Sequence, residues 1–181
     1  MPRYVALLRA INVGGRVVKM DRLRLVFEAL DLRRVETFIA SGNVIFDTPS
    51  ADTGTLERRI EERLKRALGY EVTTFLRTTA EISACARYAP FGAPDPVEIG
   101  HSLYVLFLKA APSKEAKSAL LALGTENDDF HAHRREVYWR RRIKSLQSIS
   151  FGAQLERLLR APATMRNVTT VRRLVLKMPA S

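Results

Sequence analysis

The residues best suited to hold a ligand lie near the start of the chain, in residues 4–15, YVALLRAINVGG. Arg9 supplies a cation, Asn12 an amide, and Gly14 with Gly15 a loop whose backbone N–H groups can turn outward because no Cβ crowds them. A second polar set, Ser41, Gly42 and Asn43, sits between two β-rich runs and reads as a hairpin turn. Together these suit an anion such as a small phosphorylated ligand, although neither GxGxxG nor GxxxxGK[ST] occurs. A third set is Arg134, Arg135, Arg140, Arg141, Arg142 and Lys144, interleaved with Tyr138 and Trp139. Cations alternating with rings suit nucleic-acid phosphates and unpaired bases. The plainer readings are turn chemistry for the first two sets and, for the third, an edge strand guarded by arginine with Trp139 partly in the core.

Other chemistries find little support. Of three histidines, His131 and His133 would share one face of a strand, but His101 and Cys85 are remote in sequence, so no metal is expected. No GxSxG elbow accompanies Ser41, no cluster of paired carboxylates stands apart from a helix face, and no motif asks for a cofactor. Cys85, between Ile82 and Ala86, reads as core packing on the inner face of a helix. One cysteine excludes an internal disulfide framework and suits a reducing cytoplasm. No apolar run approaches the ~20 residues that span a bilayer, and the start shows no signal-peptide pattern, so no membrane partner is expected. The net charge of +11 is uneven: from His133 onward twelve Lys or Arg face only Glu136 and Glu156, a net of +10. Such asymmetry suits a nucleic acid or another polyanion as partner, or else a solvated face.

These groups need elements to position them. Residues 5–8 read as a strand. Met20, Leu23, Phe27 and Leu30 follow at helical spacing, and residues 35–39 and 44–46 make two further strands. Leu56, Ile60, Leu64 and Leu68 stripe a helix whose outer face offers Arg58 with Glu62, Glu61 with Lys65 and Glu62 with Arg66 as solvated pairs. Gly69 stops that helix, and residues 72–76 give a fourth strand. Residues 3–77 therefore spell βαββαβ, the split βαβ or ferredoxin-like unit. Thr78 and Glu81 form a capping box opening a short helix that ends before Pro90. Residues 90–100, with three prolines and two glycines, read as a linker.

Beyond the linker, YVLFLKA at 104–110 copies YVALLRA at 4–10. A helix follows Pro112 and Ser113, two strands flank the turn at Arg134 and Arg135, and further helices carry Phe151, Leu155, Leu158 and Leu159, then Val168, Val171, Leu174, Val175 and Met178. Arg166 precedes the last helix as Arg77 precedes the third. The expected fold is α+β, two ferredoxin-like halves related by internal duplication. The expected division is 1–89, a linker at 90–100, and a basic 101–181. In such a sheet the first and third strands are antiparallel neighbours, which would bring Arg9, Asn12, Gly14 and Gly15 beside Ser41, Gly42 and Asn43. The matching corner of the second half would bring Lys109 towards Arg134 and Arg135.

The YVALLRAINVGG stretch, SGNVIF at 41–46 and ATMRNVTTVRRL at 163–174, in that order, resemble the domain of unknown function 1697 family. The resemblance implies a cytoplasmic bacterial protein of two ferredoxin-like α+β halves and carries over no activity, substrate or cofactor. Its recurrent polar positions fall on Arg9, Asn12, Gly14, Gly15, Ser41, Gly42, Asn43, Arg166 and Asn167. Ala10 stands where the family shows glycine, Val168 and Thr169 replace a tryptophan and an asparagine, and Ser148-Ile149-Ser150 lacks the family's lysine.

Two functional classes follow, with protein interaction as a third. A module binding an anion or nucleic acid through the basic C-terminal surface should lose affinity with salt. An enzyme acting on a phosphate or acyl-phosphate would use Arg9 and the Gly14 and Gly15 amides to hold the anion and Asn43 to orient a water. The oligomeric state is not legible.

Overall fold

The computed structural model describes the chain apart from residues 13, 16, 40, 41, 143–148, 180 and 181, and the backbone alone at 149–151. Ser41, Lys144 and Ser148 thus lie outside the described residues. The chain is α+β, with two four-stranded antiparallel sheets and six helices among the described residues. It divides into two compact units, Met1–Ser83 with Leu174–Ser181, and Ala84–Arg173.

The first unit runs β1 (Arg3–Leu8), α1 (Met20–Glu28), β2 (Arg33–Phe38), β3 (Asn43–Asp47), α2 (Thr53–Leu68) and β4 (Thr74–Thr78), with sheet order β2-β3-β1-β4. Alternation along β1 places Tyr4, Ala6 and Leu8 in one core with Leu23, Phe27, Phe46, Ile60 and Leu64, which is why the helical stripes lie on that face. Helix α2 starts at Asp52, whose Oδ1 accepts from Thr55 N at 3.0 Å, and stops at Gly69 in the left-handed region. The N-cap bond from the Thr55 amide holds the Asp52 carboxyl below its ordinary range.

The fourth strand lies two residues beyond its apolar run, and Thr78 both ends the strand and caps α3 (Thr79–Arg87). Thr78 Oγ1 accepts from Glu81 N at 3.2 Å and Glu81 Oε2 accepts from Thr78 N at 2.8 Å, the expected capping box. The outer face of α2 departs from the expected ladder of solvated pairs. Arg66 meets Glu62 at 3.5 Å, but Glu61 Oε1 accepts from Thr74 N and Glu57 Oε1 from Leu76 N, each at 2.8 Å, and Lys65 pairs with Glu71. Backbone amides on the outer edge of β4 need acceptors, and that demand outweighs surface ion pairs worth ~0.5 kcal/mol each.

The second unit runs β5 (Ser102–Phe107), α4 (Lys114–Ala122), β6 (Asp128–His133), β7 (Glu136–Arg141), α5 (Ile149–Leu159) and β8 (Thr164–Asn167) into α6 (Val168–Lys177), with order β6-β7-β5-β8. Its core joins Leu106, Leu108, Leu120, Phe130, Val137, Trp139, Leu155 and Leu159. Residues 90–100 form turns bonded to one another, with His101 N on Pro96 O at 2.8 Å and Val97 N on Asp95 Oδ1 at 2.9 Å. Asp95 also pairs with Arg172.

Candidate functional site

Strand β1 meets β3 as expected: Leu7 lies opposite Asn43, and Leu8 N donates to Gly42 O at 2.8 Å. Arg9 follows at the end of β1 and donates its backbone N–H to Thr73 O at 2.9 Å. Much of this corner is committed to structure. Asn12 Oδ1 accepts from Val18 N at 2.8 Å, bracing the loop, while Tyr70 Oη donates to Ile11 O at 3.2 Å. Asn43 is fully buried, and its Nδ2 donates to Phe38 O at 2.9 Å. The expectation that Asn43 orients a water is therefore corrected: its amide closes the β2–β3 turn away from solvent. Gly14 and Gly15 are exposed at φ +63° and +79°, with open space where a Cβ would lie.

The second corner is built alike. Leu108 N donates to Arg135 O at 3.0 Å, and Phe107 lies opposite buried Glu136 as Leu7 lies opposite Asn43. Arg134, exposed at φ +53°, forms the tight turn with the half-buried Arg135.

The stacking ribbon expected over 134–144 is corrected. Tyr138 and Trp139 are both buried, Trp139 Nε1 donates to Asp128 Oδ1 at 2.7 Å, and Tyr138 Oη reaches Cys85 O at 3.5 Å. Burial pushes the Tyr138 phenol well above its ordinary range. Neither ring can stack on a base. Arg140 and Arg142 both reach Asp129 at 2.7 Å, Arg140 also lies over Phe91 at 4.6 Å, and Arg142 Nη1 donates to Glu126 O at 2.8 Å. Arg141 Nε lies 3.5 Å from Asp128, with its guanidinium 5.5 Å from the Trp139 ring. The cause is hairpin register: a two-residue turn at Arg134 and Arg135 folds Asp128 onto Arg141 and Asp129 onto Arg140. That arithmetic could have been done on the sequence.

Beside this hairpin is an aromatic and imidazole cluster that sequence reasoning missed. Tyr88 stacks on His133 with ring centroids 4.1 Å apart, its Oη bonds His131 Nε2 at 2.8 Å, and it tilts against Tyr138 at 5.1 Å. Burial first, then the neighbouring His133, lowers the His131 pKa below its ordinary 6.5. A base with a depressed folded pKa adds stability that is complete above the ordinary histidine range and lost as pH falls through it towards the folded value. As pH falls from about 7 through the ordinary histidine range the unfolding midpoint should therefore drop, and His131→Gln should flatten that limb. An unchanged slope in the variant would assign the acid loss to carboxylates instead.

Two arginines occupy matching places in the sheets. Arg77 lies opposite Val5 and Arg166 opposite Val105. Arg77 is fully buried with Nη1 on Leu76 O at 2.8 Å. Arg166 is 7% exposed, with Nη1 on Thr164 Oγ1 at 2.8 Å and Met165 O at 2.9 Å. Burial lowers the Arg166 pKa to about 10, so it stays cationic at neutral pH. Asn167 Oδ1 accepts from Thr169 N at 2.9 Å and caps α6. Arg77 was legible only as the partner of Arg166 ahead of a helix, and the role of buried Glu57 carried no sequence signal.

The solved structure of the conserved bacterial protein SP0830 from Streptococcus pneumoniae superposes with a TM-score of 0.75 over 98% of each chain at 22% identity, which shows a shared fold. Comparison with curated proteins gives no match. The family model for a protein of unknown function, DUF1697, matches residues 1–138, and the chain belongs to that family.

Proposed function

We propose that this protein is a small-anion-binding module whose working cation is Arg166 in the basic second unit. The observation that carries the reading is an arginine only 7% exposed on strand β8, within residues 84–173, which hold fifteen Lys or Arg against eight Asp or Glu. A desolvated guanidinium binds carboxylate or phosphate oxygens far more strongly than an exposed one. A nucleic acid is the weaker candidate, because the Arg140, Arg141 and Arg142 side chains face aspartates and both rings of the ribbon are buried. The phosphate-enzyme reading at the first corner keeps Arg9 and the exposed Gly14 and Gly15 as its support.

We also infer that the two units are ferredoxin-like halves of an internal duplication. The support is one strand order used twice and a register in which residues 4–7 and 104–107 take matching partners. Residence in the cytoplasm belongs to the same reading. Among the described residues no helix is long and apolar enough to cross a membrane.

The test replaces chloride by acetate or phosphate at constant ionic strength and follows thermal unfolding. A specific anion at about ten times its Kd should add about 1.4 kcal/mol. Labelled oligonucleotides are titrated in parallel at about 50 and about 200 mM salt. Tight, steeply salt-dependent oligonucleotide binding without any small-anion effect would overturn the small-anion reading.

A further inference from the structure

In each unit the strand beside β1 or β5 presents a row of outward amides next to a helix, and such a row needs acceptors. On β4 three carboxylates supply them, each at 2.8 Å: Glu61 to Thr74 N, Glu57 to Leu76 N, and Glu81 to Thr78 N. The register matches Leu76 with Met165, because Ala6 lies opposite the first and Leu106 opposite the second. It likewise matches Thr74 with Ala163 and Thr78 with Asn167.

Ala163 keeps its acceptor, since Glu156 Oε1 accepts from Ala163 N at 2.9 Å. Four residues before Glu156, where Glu57 stands relative to Glu61, is Gly152, with nothing within 4 Å of where a Cβ would lie. Three residues after Asn167, where Glu81 stands relative to Thr78, is Thr170. The amides of Met165 and Asn167 therefore face the same side of the strand, ~7 Å apart, and among the described residues they have no carboxylates like those that serve their counterparts. Beside them Arg166 Nη1 donates to Met165 O, as Arg77 Nη1 donates to Leu76 O next to Glu57. The edge thus presents donors beside Arg166, and a glycine stands at the helix position that a glutamate takes in the first unit.

We propose that the β8 edge is a carboxylate-binding site in which an external carboxylate takes the place of the Glu57 side chain, accepting from Met165 N in the field of Arg166. This rests on the anion-binding reading and names the ligand class. A carboxylate is favoured over phosphate because the matching position of the first unit holds one at 2.8 Å from the same kind of amide. The carboxylate can come from a small organic acid or from an acidic side chain of a peptide.

The test is an amide NMR titration of the full chain with sodium acetate, with a blocked Ala-Glu-Ala peptide, and with inorganic phosphate, at constant ionic strength. It is run on wild type, Gly152→Glu and Gly152→Ala. Saturable shifts of the Met165 amide with acetate or peptide are expected. They should weaken by about tenfold or more in Gly152→Glu, which brings its own carboxylate, and change by less than about twofold in Gly152→Ala. A peptide binding about tenfold tighter than acetate would identify a protein side chain as the source, and equal affinity a small acid. Anion shifts at other amides, or equal binding in Gly152→Glu, would overturn this inference while leaving the anion-binding reading standing. No saturable shift with any probe would overturn both.

Discussion

Trp139→Ala should destabilise the protein by about 4 kcal/mol, the upper range for deleting a buried aromatic. The indole has no solvent exposure and packs between Tyr104, 5.0 Å away, and Phe130, 6.0 Å away. The truncation also strips Asp128 of its 2.7 Å donor and Arg141 of the ring beneath it. Urea unfolding monitored by far-UV signal reads the shift in midpoint. Arg134→Ala, at the exposed turn of the same hairpin, should stay within about 0.5 kcal/mol of wild type. A loss below about 1 kcal/mol at Trp139 would mean the ring is free for stacking after all.

Gly42→Ala should cost about 3 kcal/mol through two separate effects. The residue sits at φ +77°, where an L side chain pays about 1 kcal/mol or more. Its Cβ would also lie 2.6 Å from Ile11 Cγ2 and 3.1 Å from Leu8 Cβ, in a core that cannot yield without moving β1. Gly14→Ala shares the first effect but meets no atom within 4 Å, so it should cost only about 1 kcal/mol. Comparing the two unfolding midpoints separates packing from backbone strain, and equal losses would remove the packing argument.

Gly42 shows where sequence reasoning reached and where it stopped. The pattern of β-formers around Gly42 and Asn43 placed a hairpin turn correctly, and the antiparallel pairing of β1 with β3 followed from the order of elements. The glycine's contact with Ile11 and the complete burial of Asn43 depend on how a loop folds over the sheet end, which periodicity does not encode. The helical stripe of α2 was legible from Leu56 to Leu68 because a 3.6-residue repeat reports one buried face. The diversion of Glu57 and Glu61 to amides of β4 was not, because it depends on a strand thirteen or more residues away. Conversely, the pairing of Asp128 and Asp129 with the arginines was within reach once the turn at Arg134 and Arg135 was placed. Charge counting alone made a ribbon of cations out of what the hairpin turns into cross-strand ion pairs.

The most direct test of anion binding at Arg166 is the gain in unfolding midpoint when chloride is exchanged for acetate at constant ionic strength, measured on wild type, Arg166→Gln and Arg9→Gln, each against its own chloride baseline. The account predicts a saturable gain in wild type and in Arg9→Gln that disappears in Arg166→Gln. A gain that survives in Arg166→Gln and disappears in Arg9→Gln would contradict it and move the site to the loop of Gly14 and Gly15.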